Sequence, residues 1–287
     1  MLAIYVVNRV GEGYICAVST AYTMQILTFA NNKGGQGKTT SSLGVAHRLA
    51  ALGYSVLFID ADPQANATLT LGTDPARGHL GDALVDGPDG RPSIHTIATL
   101  SQRPQADRSL AIVAANRLMG QQEKMFGMQA DYIYFFKRQL ASLTSEYDYV
   151  VFDTPPSLGP LTLAALAASH AVFVPLVPDL FGSAGMAALL EMVERIRQNF
   201  NERLRIGGIF FTKYAPTYRR ALHRQYAGDV QEDQNLAGLV MTQTIRENIA
   251  LAEAQSLQQP VYDYAPSSAG ASDYAALTDE ILLRLSK

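Results

Sequence analysis

The segment Lys33-Gly34-Gly35-Gln36-Gly37-Lys38-Thr39-Thr40 packs glycines, lysines and hydroxyls into one short stretch. Glycines let backbone N–H groups curl around phosphate oxygens, and a helix starting directly afterwards adds the positive end of its dipole. In that arrangement Lys38 reaches the β- and γ-phosphates of a nucleotide and the Thr39 hydroxyl binds Mg²⁺. The backbone of Gly34, Gly35, Gln36, Gly37 and Thr40 completes the cradle. The plainer alternative is a glycine-rich turn with an incidental lysine. An apolar strand before the loop and a helical pattern after it favour the phosphate reading. The usual spacing, G-x-x-x-x-G-K-[ST], needs glycine at position 32, but Asn32 stands there and an extra lysine, Lys33, precedes the glycines.

Carboxylates follow two further apolar runs. One run leads into Asp60-Ala61-Asp62-Pro63-Gln64-Ala65-Asn66-Ala67-Thr68, and the other, Val150-Val151-Phe152, into Asp153-Thr154-Pro155-Pro156. Any single one of these could be an Asx turn closing a strand.

These residues need a frame. Five short runs rich in β-branched and aromatic residues, 26–30, 56–59, 149–152, 171–177 and 206–211, read as buried strands. Helical periodicity lies between or after them over 39–52, 132–143, 161–168, 184–199 and 218–226. The first helix sets Leu43, Ala46, Leu49 and Ala50 on one face and stops at Gly53, a left-handed cap. Strands alternating with helices predict an α/β fold, a mostly parallel twisted sheet with helices on both faces. Ligands in such folds collect at the carboxyl ends of strands. The breaks at 31–40, 60–66, 153–156 and 178–182 are therefore expected to converge on one edge. Residues 72–105 read as surface loops with short helices.

Composition agrees. Of 287 residues 48% are hydrophobic and only 17% charged, against about 25% in ordinary domains, so a large interior is available. High apolar content with a net charge of -3 excludes disorder for most of the chain. A single cysteine, Cys16, excludes an intramolecular disulfide framework and suits a reducing cytosol. No run approaches the roughly 18 apolar residues of a membrane span. Residues 1–23 read as an appendage upstream of a natural start at Met24. They are too short for a separate DNA-reading domain, and 24–287 reads as one domain.

The K-G-G-x-G-K-[ST] form of the loop resembles the deviant Walker A ATPases, the MinD/ParA superfamily of P-loop NTPases. The resemblance runs from Met24 to near Lys287, which makes 24–287 one ATPase domain, and implies ATP and Mg²⁺ as cofactors. It implies that Lys33 crosses to the nucleotide of a partner subunit in an ATP-dependent sandwich homodimer, acting much as an arginine finger does. The 60–68 segment resembles the D-x-D-P-Q-x-N-A-T stretch of the ParA branch. By that likeness Asp60 contacts the Mg²⁺ environment and Asp62 positions or deprotonates the attacking water. Asp153 takes the Walker B place and holds Mg²⁺ through water, a hard oxygen for a hard cation. Pro266 matches a base-contacting position, with an ordinary loop before the last helix as the alternative.

Other branches fit less well. One cysteine cannot supply a nitrogenase-type cluster. The last helix, with Tyr274, Leu277, Ile281, Leu282 and Leu285 on one face, carries Asp273, Asp279 and Glu280 elsewhere, which is wrong for an anionic membrane. The terminal tyrosine cluster of bacterial tyrosine kinases is missing. The ParA/Soj-type partition ATPases remain.

Residues 203–224 hold Arg203, Arg205, Lys213, Arg219, Arg220 and Arg224 with no acidic residue. This is a solvated face or, given the resemblance, a surface binding double-stranded DNA without sequence preference. Two departures blur that footprint. The family segment I-P-R-N-V-R-L becomes Ile245-Arg246-Glu247-Asn248-Ile249-Ala250-Leu251, so an arginine linked in the family to DNA contact is Ala250 here, with Arg246 as a shifted candidate. Ala215 also replaces an acidic residue, with an apparent insertion before Arg219.

The resemblance thus implies a cytoplasmic, nucleoid-associated ATPase that positions a plasmid or chromosome origin. A ParB-like or other adaptor would stimulate hydrolysis, and no membrane is involved. Alternatives are an ATPase positioning a protein assembly (a carboxysome or chemoreceptor cluster), a MinD-like division-site regulator recruited to the membrane, or a small-molecule kinase or ligase that would not need Lys33.

Overall fold

The computed structural model describes residues 3–10, 13–20, 24–85, 92–101 and 109–286. Strands β1 (Ala3–Val10) and β2 (Gly13–Thr20) pair antiparallel as a separate two-stranded sheet. The main sheet contains β3 (Gln25–Phe29), β4 (Val56–Asp60), β5 (Leu110–Val113), β6 (Tyr149–Asp153), β7 (Ala171–Leu176) and β8 (Arg205–Phe211). Their order is β5-β4-β6-β3-β7-β8, and every pairing is parallel.

All five predicted strands form. β5 is the addition: Leu-Ala-Ile-Val is too short a run for periodicity to separate from the polar stretch before it. β4, β6 and β7 are buried at every residue, as parallel strands covered on both faces must be.

Helix α1 (Lys38–Ala51) buries Leu43, Ala46, Leu49 and Ala50, and Gly53 beyond it takes φ 92°. Next come α2 (Asn66–Thr70), α3 (Pro160–Ala168), α4 (Leu180–Asn199), α5 (Ala221–Glu232), α6 (Ile249–Ser256) and α7 (Ala269–Leu285). The predicted helix at 132–143 is an α-helical core, Phe135–Leu140, between two 3-10 turns.

Alternation along the strands sends side chains to opposite layers. Leu57, Ile59 and Phe152 pack with Phe136 and Leu161 on one side. Phe29, Phe58 and Val151 pack with Leu43 and Leu49 of α1 and with Tyr274, Leu277 and Ile281 of α7 on the other. α1 and α7 meet at Gly44, where a Cβ would lie 2.8 Å from the Tyr274 ring. The Tyr274 hydroxyl and Ser41 Oγ share a hydrogen bond of 3.1 Å. The helix that leaves the glycine-rich loop is thereby fixed against the last helix of the chain.

Candidate functional site

Because all six strands are parallel, the segments after β3, β4, β6 and β7 emerge on one edge, from four strands adjacent in the order β4-β6-β3-β7. The chain runs outward from β3 through β4 to β5, returns to β6, and continues to β7 on the far side of β3. That reversal is where open α/β sheets bind ligands.

The loop after β3 is held from below. Gly35 and Gly37 take φ of 76° and 84°, left-handed values that favour glycine. The buried Gln36 side chain accepts a hydrogen bond from the Val177 N–H (2.7 Å), and its carbonyl accepts one from the Thr212 hydroxyl (2.9 Å). The loop is thus anchored to the ends of β7 and β8 while Gly34 and Gly35 face outward, exposed. Lys38 is buried, and its Nζ donates to the Lys33 carbonyl at 3.1 Å.

Beside it the carboxylates gather. Asp60 and Asp153 are direct partners in the β4–β6 register, and both are fully buried. Asp60 accepts hydrogen bonds from the Asp62 N–H (3.2 Å), the Thr68 N–H (2.8 Å) and the Thr68 hydroxyl (2.7 Å). Burial pushes its carboxyl up to about 7 in spite of those donors, and the charge of Asp62 adds to the rise. Asp62, also buried, accepts from the Gln64 N–H at 2.9 Å.

Among the described residues neither Asp153 oxygen has a hydrogen-bond partner. Burial first and Asp60 second hold this carboxyl well above the usual range, with the nearby Thr39 hydroxyl and Lys38 only partly offsetting them. Burial lowers the Lys38 ammonium, while Asp153 and Asp62 favour its charge. Three buried carboxylates facing one buried ammonium, with two acceptor oxygens unused, make a site short of positive charge. A hard divalent cation fits that deficit.

Two other predicted residues have partners of their own. Lys33 Nζ lies 3.5 Å from Asp179 Oδ1 of its own chain, and that oxygen also caps α4 by accepting the Gly182 N–H at 2.6 Å. The Thr40 hydroxyl accepts from Gln255 Nε2 at 3.0 Å, tying the loop to α6. Pro266 sits in an exposed turn before Ser268, the N-cap of α7.

The basic run divides. Arg203 and Arg205 stand at the amino end of β8, and Lys213 and the arginines after it lie beyond its carboxyl end. Seven residues of strand, roughly 20 Å, separate the two groups. The helix expected from residue 218 begins at Ala221, after a turn closed by the Tyr218 N–H on the Ala215 carbonyl (3.0 Å). Arg219 and Arg220 therefore precede α5, and Arg224 lies in its first turn, which has no acidic residue. Arg220 Nη2 donates to Glu247 Oε2 at 2.7 Å. Arg246 grips Asp273 with Nη2 at 2.7 Å and Nε at 3.0 and 3.2 Å, and its N–H adds a fourth bond at 2.9 Å. Among the described residues no carboxylate pairs with Lys213, Arg219 or Arg224.

Sequence reasoning missed the organising roles of Thr68, Gln36 and Thr212. Thr68 lay within a recognised segment, but its second contact, accepting the Ala115 N–H at 2.8 Å, comes from a distant loop. Among the described residues no helix is long and apolar enough to cross a membrane.

An AAA domain family model matches residues 24–206. The chromosome partitioning protein ParA of Caulobacter vibrioides is 34% identical over 269 residues, 92% of this chain and 96% of that protein. The chromosome-partitioning ATPase Soj of Treponema pallidum is 36% identical over 263 residues, 90% of this chain and 97% of its own length. Among solved structures, a cobyrinic acid a,c-diamide synthase from Mycobacterium smegmatis with bound ADP and magnesium is 28% identical. Its TM-score is 0.73, with 92% of this chain and 96% of that one covered. The loop, the carboxylate edge and these likenesses along nearly the whole chain agree, and the protein belongs to the ParA/Soj family of partition ATPases.

Proposed function

We propose that this chain is an ATP- and Mg²⁺-dependent ATPase whose ATP-bound homodimer binds double-stranded DNA non-specifically and positions a plasmid or chromosome origin. An activating adaptor of the ParB kind would stimulate hydrolysis and release the dimer. The observation that carries the nucleotide half is the pair of Asp153 oxygens without a partner among the described residues, beside buried Lys38 and below a glycine loop exposed at Gly34 and Gly35.

In this reading the loop N–H groups of residues 34–40 and the Lys38 ammonium bind the phosphates. Thr39, Asp60 and Asp153 would hold Mg²⁺, which supplies positive charge to the β- and γ-phosphate oxygens. Asp62, whose Oδ2 has no hydrogen bond among the described residues, orients a water for in-line attack. Lys33 leaves Asp179 to neutralise charge on the partner's nucleotide. Pro266 borders the base. Phosphoryl transfer is chiefly positioning plus charge neutralisation, so these groups suffice. The working domain is 24–287, with 1–23 as an appendage, and the ATP form is nucleoid-associated in the cytoplasm.

The DNA half is supported by α5. Arg219, Arg220 and Arg224 cluster at a helix N-terminus, where cations oppose the dipole, and an anion relieves both. Replacing all three with glutamate should abolish mobility shifts of unrelated duplexes while ATP-dependent dimerisation persists. Parent binding should need ATP and weaken steeply with salt. Retained binding in the triple variant would move the DNA surface elsewhere, and no parent binding at low salt would sink the DNA reading.

A further inference from the structure

The Arg220–Glu247 contact joins residues 27 apart in sequence, within a single small assembly. The Arg220 guanidinium lies 5.7 Å from the centroid of the Tyr218 ring, and the Tyr218 hydroxyl accepts the Glu247 N–H at 3.2 Å. Tyr218, Arg219, Arg220, Glu247, Asn248 and Ile249 line an open cleft of about 700 Å³. Glu247 is thus placed by its backbone as well as by its carboxylate, against an arginine of the basic face that also carries an aromatic support.

We propose that Glu247 is a counter-charge that holds down the affinity of this face for duplex DNA. It occupies Arg220 until a phosphate displaces it, and the inference rests on the DNA-binding reading above. Both side chains are about half exposed. An exposed pair of this kind is weak, so a duplex that also engages Arg219, Arg224 and Lys213 can break it. The displaced carboxylate stays beside the phosphates and penalises each contact. A dimer meeting one duplex bears the penalty twice, so the effect on affinity is squared.

The test uses the full chain with ATP and a labelled duplex of arbitrary sequence, measuring anisotropy across a salt series. Glu247→Gln should tighten binding on the order of tenfold, twice the free energy of one exposed pair. It should also steepen the log–log salt dependence by up to about 2 per dimer, because in the parent each displaced carboxylate takes up a cation and cancels one of the counterions released. Glu247→Arg should tighten binding further. Long duplexes, which engage both protomers, should gain more from either change than short oligonucleotides that reach only one. Asp279→Asn, which makes the same change in net charge on an exposed part of α7, should alter affinity less than about twofold. If the parent binds and Glu247→Gln behaves like Asp279→Asn, the counter-charge is refuted while the DNA reading stands. If neither the parent nor any variant binds at low salt, both fall. Binding that appears only in the Glu247 variants would overturn the DNA-binding reading of the parent, and this proposal with it.

Discussion

The carboxyl edge of the sheet and the basic face beyond β8 handle charge in opposite ways. At the edge, Asp60, Asp62 and Asp153 are buried around one buried lysine, and two carboxylate oxygens have no partner among the described residues. On the face the side chains of Arg219, Arg220, Arg224 and Arg246 reach solvent, and Arg220 and Arg246 already hold carboxylates of their own chain. Burial without partners creates a demand that only a bound proton or a ligand can meet, because desolvation of the charged form is not relieved by neighbouring donors. Exposed charge creates no such demand, and a few substitutions can tune it. The edge therefore fixes the chemistry, and the face sets with whom and how tightly the protein associates.

The sharpest way to break this contrast is at Lys38. Lys38→Ala should abolish ATP binding, because it removes the buried cation aimed at the phosphates and leaves the carboxylates more repulsive. Nucleotide titration reads this directly, and unchanged affinity would remove the phosphate site from the edge. Asp62→Ala should instead keep ATP binding and dimerisation while lowering turnover about a hundredfold or more. A dimer that persists with ATP in size-exclusion runs, together with slow phosphate release, is the expected pair of results. Normal turnover would mean that Asp62 does not handle the water.

Proton linkage gives the next effect. The Asp60 carboxyl sits near 7 in the folded chain, above its unfolded value of about 4. Between those values the folded protein holds a proton that the unfolded chain has released. Stability must therefore fall as pH rises through that window, and the contribution levels off above about 7. Buried or half-buried His47, His79 and His170 have lowered values, so below about 6.5 they act in the opposite direction. The informative quantity is thus the difference between parent and Asp60→Asn, measured by thermal unfolding in a chelator without nucleotide. From pH 5.5 to 7 the parent should lose about 2 kcal/mol relative to the variant, roughly 5 °C. Parallel curves would show that Asp60 titrates at its ordinary value and that the edge is better solvated than its burial indicates.

How much of this was legible follows the same division. The strands, α1 and the order of strand-end segments could be read because burial and local period write themselves into neighbouring residues. β5 could not, being four apolar residues with no periodicity of their own. The start of α5 moved because Ala215-Pro216-Thr217-Tyr218 closes a turn, with proline favoured at its second position. Lys33 with Asp179, Arg220 with Glu247, and Arg246 with Asp273 lie 146, 27 and 27 residues apart, and no spacing rule connects them. A run of basic residues likewise looks continuous in sequence until a strand of known length carries its two halves to opposite ends of the sheet.

Arg246 is where the two regions come closest to each other in behaviour, and it gives the finest test. It was assigned to DNA from sequence, yet its guanidinium is committed to Asp273, a carboxylate of α7 only 5% exposed. Among the described face cations it alone has a buried partner. Removing it should therefore register as lost stability before it registers as lost DNA binding. In Arg246→Ala, Asp273 keeps the backbone N–H of residue 246 but loses three side-chain hydrogen bonds. Leaving a buried acceptor short of donors costs about 1 to 3 kcal/mol, and the retained N–H and the exposed side of the arginine favour the lower half of that range. Arg246→Lys should recover only part of the loss, because an ammonium cannot reproduce the fork on one carboxylate. Arg219→Ala should do the converse, leaving unfolding within about 0.5 kcal/mol of the parent while weakening DNA binding and flattening its salt dependence. If Arg246→Ala unfolds like the parent but loses DNA binding as Arg219→Ala does, its pairing with Asp273 is dispensable and Arg246 belongs with the DNA-facing cations. If it loses stability while ATP-dependent DNA binding survives below its unfolding temperature, Arg246 is a strut that holds the segment before α6 against α7, and the phosphate contacts lie with Arg219, Arg220 and Arg224.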